Sequence, residues 1–394
     1  MHLPLMRCVV VLLVAAFGWS CGDDRPMGVL LPTTGEAEAY GRSVEDGIKL
    51  AVAEARTRAL VPADFTVLEA DTGSLGKRAA EALQRMVDEH DVAIVVGGVT
   101  TDEAEALIPV VEENHVICLS PCAPANTLTG RSRYFFRLFA TDEVEGSTAA
   151  RYLYKEQSVR KVVVITDDSV FTRGIETEFR QHFELKLGGE IVGTVHTGAD
   201  NWQRKLGDAI HAHGAQAVYI VGHGERTLEV LQHLEERRFN GVKVTTSSLY
   251  LSHVVSGGGS AAEGVVFPLV AFDQASTKPP VRAFVESFEN RYGGPPDIYA
   301  AHGYDAMRVA LRAMVEARRP HASQIRRVMT IGLRDFTGVT GAVAFDERGD
   351  VPRYPVMHQI WNGRVVSCSW LRQRRDATRR EIFEGLRRAP TPRT

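Results

Sequence analysis

The sequence predicts an α/β protein made of two doubly wound, Rossmann-like lobes. From residue 27 to residue 247, short apolar runs alternate with stretches whose apolar residues repeat at helical spacing. One of those runs, 92–96, is apolar throughout and rich in β-branched residues, which suits a parallel strand buried on both faces. The rhythm restarts near residue 145, and 394 residues are enough for two domains with a core each.

The elements follow in order. Residues 27–31 form a strand that ends in the loop Pro32-Thr33-Thr34-Gly35. Val44, Ile48, Ala51, Val52 and Ala55 share one face of a helix over 43–59. A strand at 65–70, a helix at 76–89, the strand at 92–96, a helix at 101–114 and a strand at 116–119 complete the first round. The second round has helices at 145–157, 172–187, 201–213 and 225–237. Its strands are 161–166, 190–196, 217–221 and 242–247. Beyond a strand at 264–267 come helices at 279–292, 299–317 and 323–329. A hairpin is expected between 342–345 and 357–361, turning through 346–349, with Gly363 turning the chain once more before Val365 and Val366. Residues 376–388 read as a basic amphipathic helix that Leu371, Ile382, Phe383 and Leu386 would dock, or as a frayed tail.

The net charge of −3 gives no global reason to expect a nucleic-acid partner. It is unevenly spread: residues 372–394 hold eight Arg against Asp376, Glu381 and Glu384. The first twenty residues read as a signal peptide, with Arg7 before an apolar stretch at 8–17. Gly18-Trp19-Ser20-Cys21 resembles a bacterial lipobox, which makes Cys21 the expected lipidation site; plain secretory cleavage nearby is the other reading. After Cys8 and Cys21, three cysteines remain. Cys118 and Cys122 either bridge across a turn at Ser120-Pro121 or stay as buried thiols. No His or Cys stands at metal-ligand spacing beside them, and neither a metal nor a cofactor is expected.

Several segments, in order, resemble one family. They are VLLPTTGEAEAYG at 29–41, VVGGVTT at 95–101, ICLSPCAP at 117–124 and YFFRLFATDEVEG at 134–146. Tyr304-Asp305-Ala306 and TGAVAFD at 340–346 follow. Together they are similar to the type I periplasmic binding proteins of ABC importers, the branched-chain amino-acid binding family. The resemblance runs from about residue 27 to 366. It implies a clamshell joined by a three-segment hinge, with residues 27–141 plus 270–338 in lobe 1 and 142–269 plus 339–371 in lobe 2. The basic tail, 372–394, has no counterpart in it. The 134–146 segment is expected to cross between lobes.

Ligands of open α/β sheets sit beyond the carboxyl ends of the strands. Thr100 and Thr101 lie there, at a helix start whose free amides and dipole suit a carboxylate or carbonyl. The resemblance puts a carboxylate-binding hydroxyl at Thr101; capping its helix is the simpler role. It also implies backbone contacts from Cys122 and Ala123 and pocket walls at Tyr40, Phe171 and His223. Helix-start packing for Phe171 and a solvated loop for His223 are the plainer readings. Tyr250 and Tyr299 stand close by, with core packing as the alternative for Tyr299.

Two positions depart from the amino-acid binders. Pro124 stands where they have a threonine facing the ligand ammonium, and Ser248 near where they have a glutamate. A buried ammonium without an anion is costly, so a free α-amino acid is a poor candidate unless Glu225 or Asp305 moves in. The expected ligand is an amino-acid-like solute, an amide or a small carboxylate.

Asp167-Asp168 reads as a turn more readily than as a Mg²⁺ site. Ser247 and Ser248 lack the Gly-x-Ser-x-Gly elbow of a hydrolase. Gly257-Gly258-Gly259 reads as a flexible loop, not a phosphate cradle. The sequence therefore predicts no enzyme. It predicts a periplasmic or surface binding protein, lipid-anchored to the membrane, that delivers a small molecule to an ABC permease. A sensory receptor, or an envelope enzyme or regulator on the same scaffold, is the rival reading.

Overall fold

The computed structural model describes residues 25–388 except Asp168, Ala271, Ala275 and 318–320. Its first round is β1 (Met27–Leu31), α1 (Glu38–Thr57), β2 (Val67–Asp71), α2 (Gly76–His90), β3 (Ile94–Gly97), α3 (Thr101–Asn114), β4 (Ile117–Ser120) and β5 (Phe135–Arg137). These strands form a parallel sheet in the order β2-β1-β3-β4-β5. Every residue of β1, β3, β4 and β5 is buried; only the edge strand β2 meets water. Helices on both faces leave no exposed side, so these strands read as unbroken apolar runs.

The second round is α4 (Asp142–Arg151), β6 (Lys161–Thr166), α5 (Val170–Arg180), β7 (Glu190–His196), α6 (Trp202–His213), β8 (Ala217–Val221), α7 (Gly224–Glu236), β9 (Val242–Thr245), α8 (Ser252–Gly257), α9 (Gly259–Ala262) and β10 (Val266–Leu269). The glycine run expected to be a flexible loop thus lies within α8 and α9 and the join between them. The chain then adds α10 (Pro279–Tyr292), α11 (Ile298–Glu316), α12 (Ala322–Arg327), β11 (Thr337–Gly338), β12 (Gly341–Ala342), β13 (Val356–Trp361), β14 (Arg364–Ser367) and α13 (Cys368–Arg388). The second sheet runs β14-β13-β10-β9-β8-β6-β7, with β13 and β14 antiparallel at one edge. Asn362 and Gly363, both at positive φ, make the tight turn between them.

Both sheets repeat one winding. In each, the first strand of the round sits between the second and the third, so the chain reverses direction beside it: at β1/β3 in one sheet and at β6/β8 in the other. Such a reversal opens a crevice at the strands' carboxyl ends. Helix α11 returns to the first sheet and lies along α1. The approach is backbone to backbone: a Cβ at Gly47 would run into Ala300 O, and one at Gly303 into Val44 O.

Two expectations need correction, the hairpin and the start of the tail helix. The 342–361 hairpin does not form: β12 folds back on β11, and β13 pairs with β10 and β14. Its intended turn and return leg are drawn elsewhere. Asp350 meets the fully buried Arg137 guanidinium at 2.8 Å, and Arg353 Nε donates to Leu138 O at 3.1 Å. The 134–146 segment crosses as expected: it begins with β5, which pairs with β4, leaves the first sheet after Arg137 and enters α4, which packs on the second. The segments at 138–140 and 338–340 are laced together: Arg353 also donates to Thr340 O, and Asp305 accepts from the Val339 and Thr340 amides at 3.0 and 2.7 Å. The tail helix starts earlier than expected, at Cys368. Its first turns are held by buried Leu371, an Arg372–Glu156 ion pair, and Arg374 stacked on Trp361 and Trp370. The side chains of Ile382, Phe383 and Leu386 lie outside the described residues.

Cys118, Cys122 and Cys368 are free, buried thiols, so the bridge between the first two is not formed. Burial pushes the Cys118 thiol up to about 12. Among the described residues, no helix is long and apolar enough to cross a membrane.

Candidate functional site: a cavity between the two sheets

The loops at the two chain reversals face each other. After β3, Thr100 caps α3: its hydroxyl accepts from Glu103 N at 3.2 Å, while Glu103 Oε2 accepts from Thr100 N at 3.0 Å. Thr101 is therefore the first helical residue and not the cap. It is 3% exposed, and its hydroxyl has no hydrogen-bond partner.

Thr101 lines a cavity of about 60 Å³ between the lobes. Thr100, Tyr40, Cys122, Phe171, His223, Ser248 and Tyr299 line it as well. Of the ten residues singled out in the sequence, Ala123 and Tyr250 alone stand apart from the lining. The Ala123 amide donates to Ser120 Oγ at 3.0 Å and its carbonyl accepts from Arg137, so both its backbone groups are engaged. Tyr250 is buried against Phe267 behind the wall.

Five rings, those of Tyr40, Phe139, Phe171, His223 and Tyr299, line the crevice. Tyr40 and Tyr299 meet edge to face with centroids 4.8 Å apart, and Phe171 stacks on His223 at 5.3 Å. Phe139 stacks on Tyr299 at 6.1 Å. The Tyr40 hydroxyl, on α1, accepts from the Gly224 amide and donates to Ser248 O at 3.3 Å, closing one lobe on the other. Tyr299 OH reaches Ser247 O in the same way at 3.5 Å.

Sequence reasoning missed Val99, Phe139 and Ser247 in the lining. Phe139 follows a strand end like the other candidates, but its sequence segment reads as a crossing. Below Ser247 lies a fully buried carboxylate, Glu145, which accepts from Ser247 N at 2.7 Å and Ser247 Oγ at 2.9 Å. Burial pushes its pKa up to about 7. Nothing in the α4 sequence pattern marks it.

The acids suggested as ammonium partners are elsewhere. Asp305 holds the 338–340 segment, and Glu225 is exposed and paired with His253 at 3.1 Å. Asp167 closes a turn through Ser169 N and Thr172 Oγ1; Asp168 lies outside the described residues. No cluster of metal-ligating side chains occurs among the described residues.

Two similarly wound lobes closing on a small, largely aromatic cavity define a solute-binding clamshell. The family model described as "Periplasmic binding protein" matches residues 26–366, and the chain belongs to that family, in its type I, branched-chain amino-acid branch. A curated relative, Leu/Ile/Val-binding protein BraC3 of Rhizobium johnstonii, is 25% identical over 373 residues, covering 92% of this chain and 99% of its own. The crystal structure of the leucine-binding protein LivK of Thermotoga maritima superposes with a TM-score of 0.78 at 27% identity, covering 87% of this chain and 97% of that one. A solute-binding protein of Rhodopseudomonas palustris, solved in complex with benzoate, shares the fold at a TM-score of 0.77 and 18% identity, over 88% of this chain and 96% of its own. The protein is an extracytoplasmic binding protein for a small molecule, not an enzyme.

Proposed function

We propose that this protein captures a small solute at the cell envelope, holds its carboxylate or carbonyl against Thr101, and hands it to an ABC-type permease. The observation that carries the reading is the Thr101 hydroxyl: buried and without a partner, on a residue that lines the interlobe cavity. A buried hydroxyl left unpaired costs about 1–3 kcal/mol, which a ligand acceptor would recover. The α3 dipole adds attraction for negative charge at the same spot. Residues 27–141 with 270–338 form one jaw and 142–269 with 339–371 the other, and Cys21 carries the lipid that keeps the protein beside its permease.

The test is a thermal-shift screen of amino acids, amides and carboxylic acids against wild type and Thr101→Val. A ligand specific to the native state raises the melting midpoint. The reading expects a compound that stabilises wild type and loses most of that effect with Thr101→Val. A compound that stabilises both equally would remove Thr101 from the site.

A further inference from the structure

We infer that the ligand is a compact carboxylate without an α-ammonium group, a des-amino acid and not an amino acid. The inference rests on the reading of the interlobe cavity as the binding site, and it concerns the two ends of that cavity.

The anion end is built. The capping box engages the amides of Thr100 and Glu103 and leaves those of Thr101 and Asp102 outside it. Beside them is the unpartnered, buried Thr101 hydroxyl. The first-turn amide of Thr101, its hydroxyl donor and the positive end of a 14-residue helix match the two oxygens of a carboxylate.

The cation end is missing. No residue lining the cavity is acidic. Pro124 has neither a hydroxyl nor an N–H. The Ser248 hydroxyl donates to Gly222 O, and its carbonyl accepts from Tyr40. The Ser247 carbonyl accepts from Tyr299. Of the acids around it, Glu145 is engaged by Ser247, Asp297 by the Tyr299 and Ala300 amides, and Asp167 by Ser169 and Thr172, while Asp142, which keeps one buried oxygen without a partner, is not in the lining. An ammonium entering here exchanges its water for Phe139, Phe171 and a proline. A buried charge without a partner is disfavoured far more than a missing contact.

Volume sets the body of the ligand. About 60 Å³ holds only a few water-sized units. The aromatic rings pack on one another and leave no open cage around a large cation.

The experiment is calorimetry on the mature protein with matched pairs that differ only in the ammonium: 3-methylbutanoate against L-valine, and 4-methylpentanoate against L-leucine. Valinamide, leucinamide and glycine betaine complete the panel. The expected result is that at least one acid binds and exceeds its amino acid by on the order of a hundredfold, with a loss of tenfold or more in Thr101→Val. An amino acid binding as tightly as its acid, or glycine betaine binding more tightly than either acid, overturns the ligand class while leaving solute capture intact. If no member of the panel binds, the assignment of this cavity as the site fails, and the ligand class with it.

Discussion

The Tyr40 hydroxyl accepts a hydrogen bond of 2.8 Å from the amide of Gly224, a residue 184 positions later and in the facing lobe. The same hydroxyl donates to Ser248 O, so one phenol joins the lobes at two backbone points. Tyr40→Phe keeps the ring and removes both bonds, worth about 1 kcal/mol each. The unliganded protein should then open, seen as a larger radius of gyration in small-angle scattering, and ligand affinity should fall about tenfold. An unchanged scattering curve would show that closure does not depend on this contact.

Thr101→Val should act with opposite signs in the empty and liganded protein. It replaces an unpartnered hydroxyl by a methyl of the same shape, so unliganded stability by urea denaturation should hold or rise by about 1 kcal/mol. Ligand affinity by calorimetry should drop by about 1–3 kcal/mol.

Glu145 and His302 should tilt the pH dependence of stability in opposite directions. Burial raises the folded pKa of Glu145 from its ordinary 4.5 to about 7. Between those values the native state binds more protons than the unfolded chain, so stability falls as pH rises through the window. His302, buried and beside Arg353, is depressed to about 3 from 6.5. There the native state binds fewer protons, and stability falls as pH drops from about 6.5 toward 3. Melting temperatures from pH 3.5 to 8 should flatten above pH 4.5 with Glu145→Gln and below pH 6.5 with His302→Gln.

Arg353→Met should lower stability by about 3 kcal/mol in urea denaturation, because the Leu138 and Thr340 carbonyls lose a charged donor in a buried place.

Cys21→Ala should release the protein from membranes into the soluble envelope fraction. Mass spectrometry of the wild-type amino terminus should show a diacylglyceryl-modified cysteine. An unmodified, soluble wild type would replace anchoring by plain secretion.

The sequence carried the architecture where burial is local and uniform. Lys161–Thr166, Glu190–His196, Ala217–Val221 and Thr101–Asn114 have the limits their patterns predict, because each is bounded by its own turn or cap. It misled at 342–361, where alternating residues look like a hairpin. There the outcome is decided by Arg137 and Asp350, 213 positions apart, and no short-range pattern encodes that pair. The cavity was legible in part for a similar reason. Tyr40, Thr101, Phe171 and His223 follow strand ends at the two chain reversals, a position that topology marks in advance. Glu145 and Phe139 reach the same region from the segment that links the lobes, and only the packed structure brings them there.

One further consequence belongs to Cys122. Its free thiol is in the wall of the cavity, whereas Cys118 sits within β4 under the sheet. Separation of the jaws would uncover the first and leave the second covered. The native chain would then contain a chemical gauge of its own motion: the pace at which a small alkylating agent modifies Cys122 would count gaping molecules, and an occupied cleft would slow it.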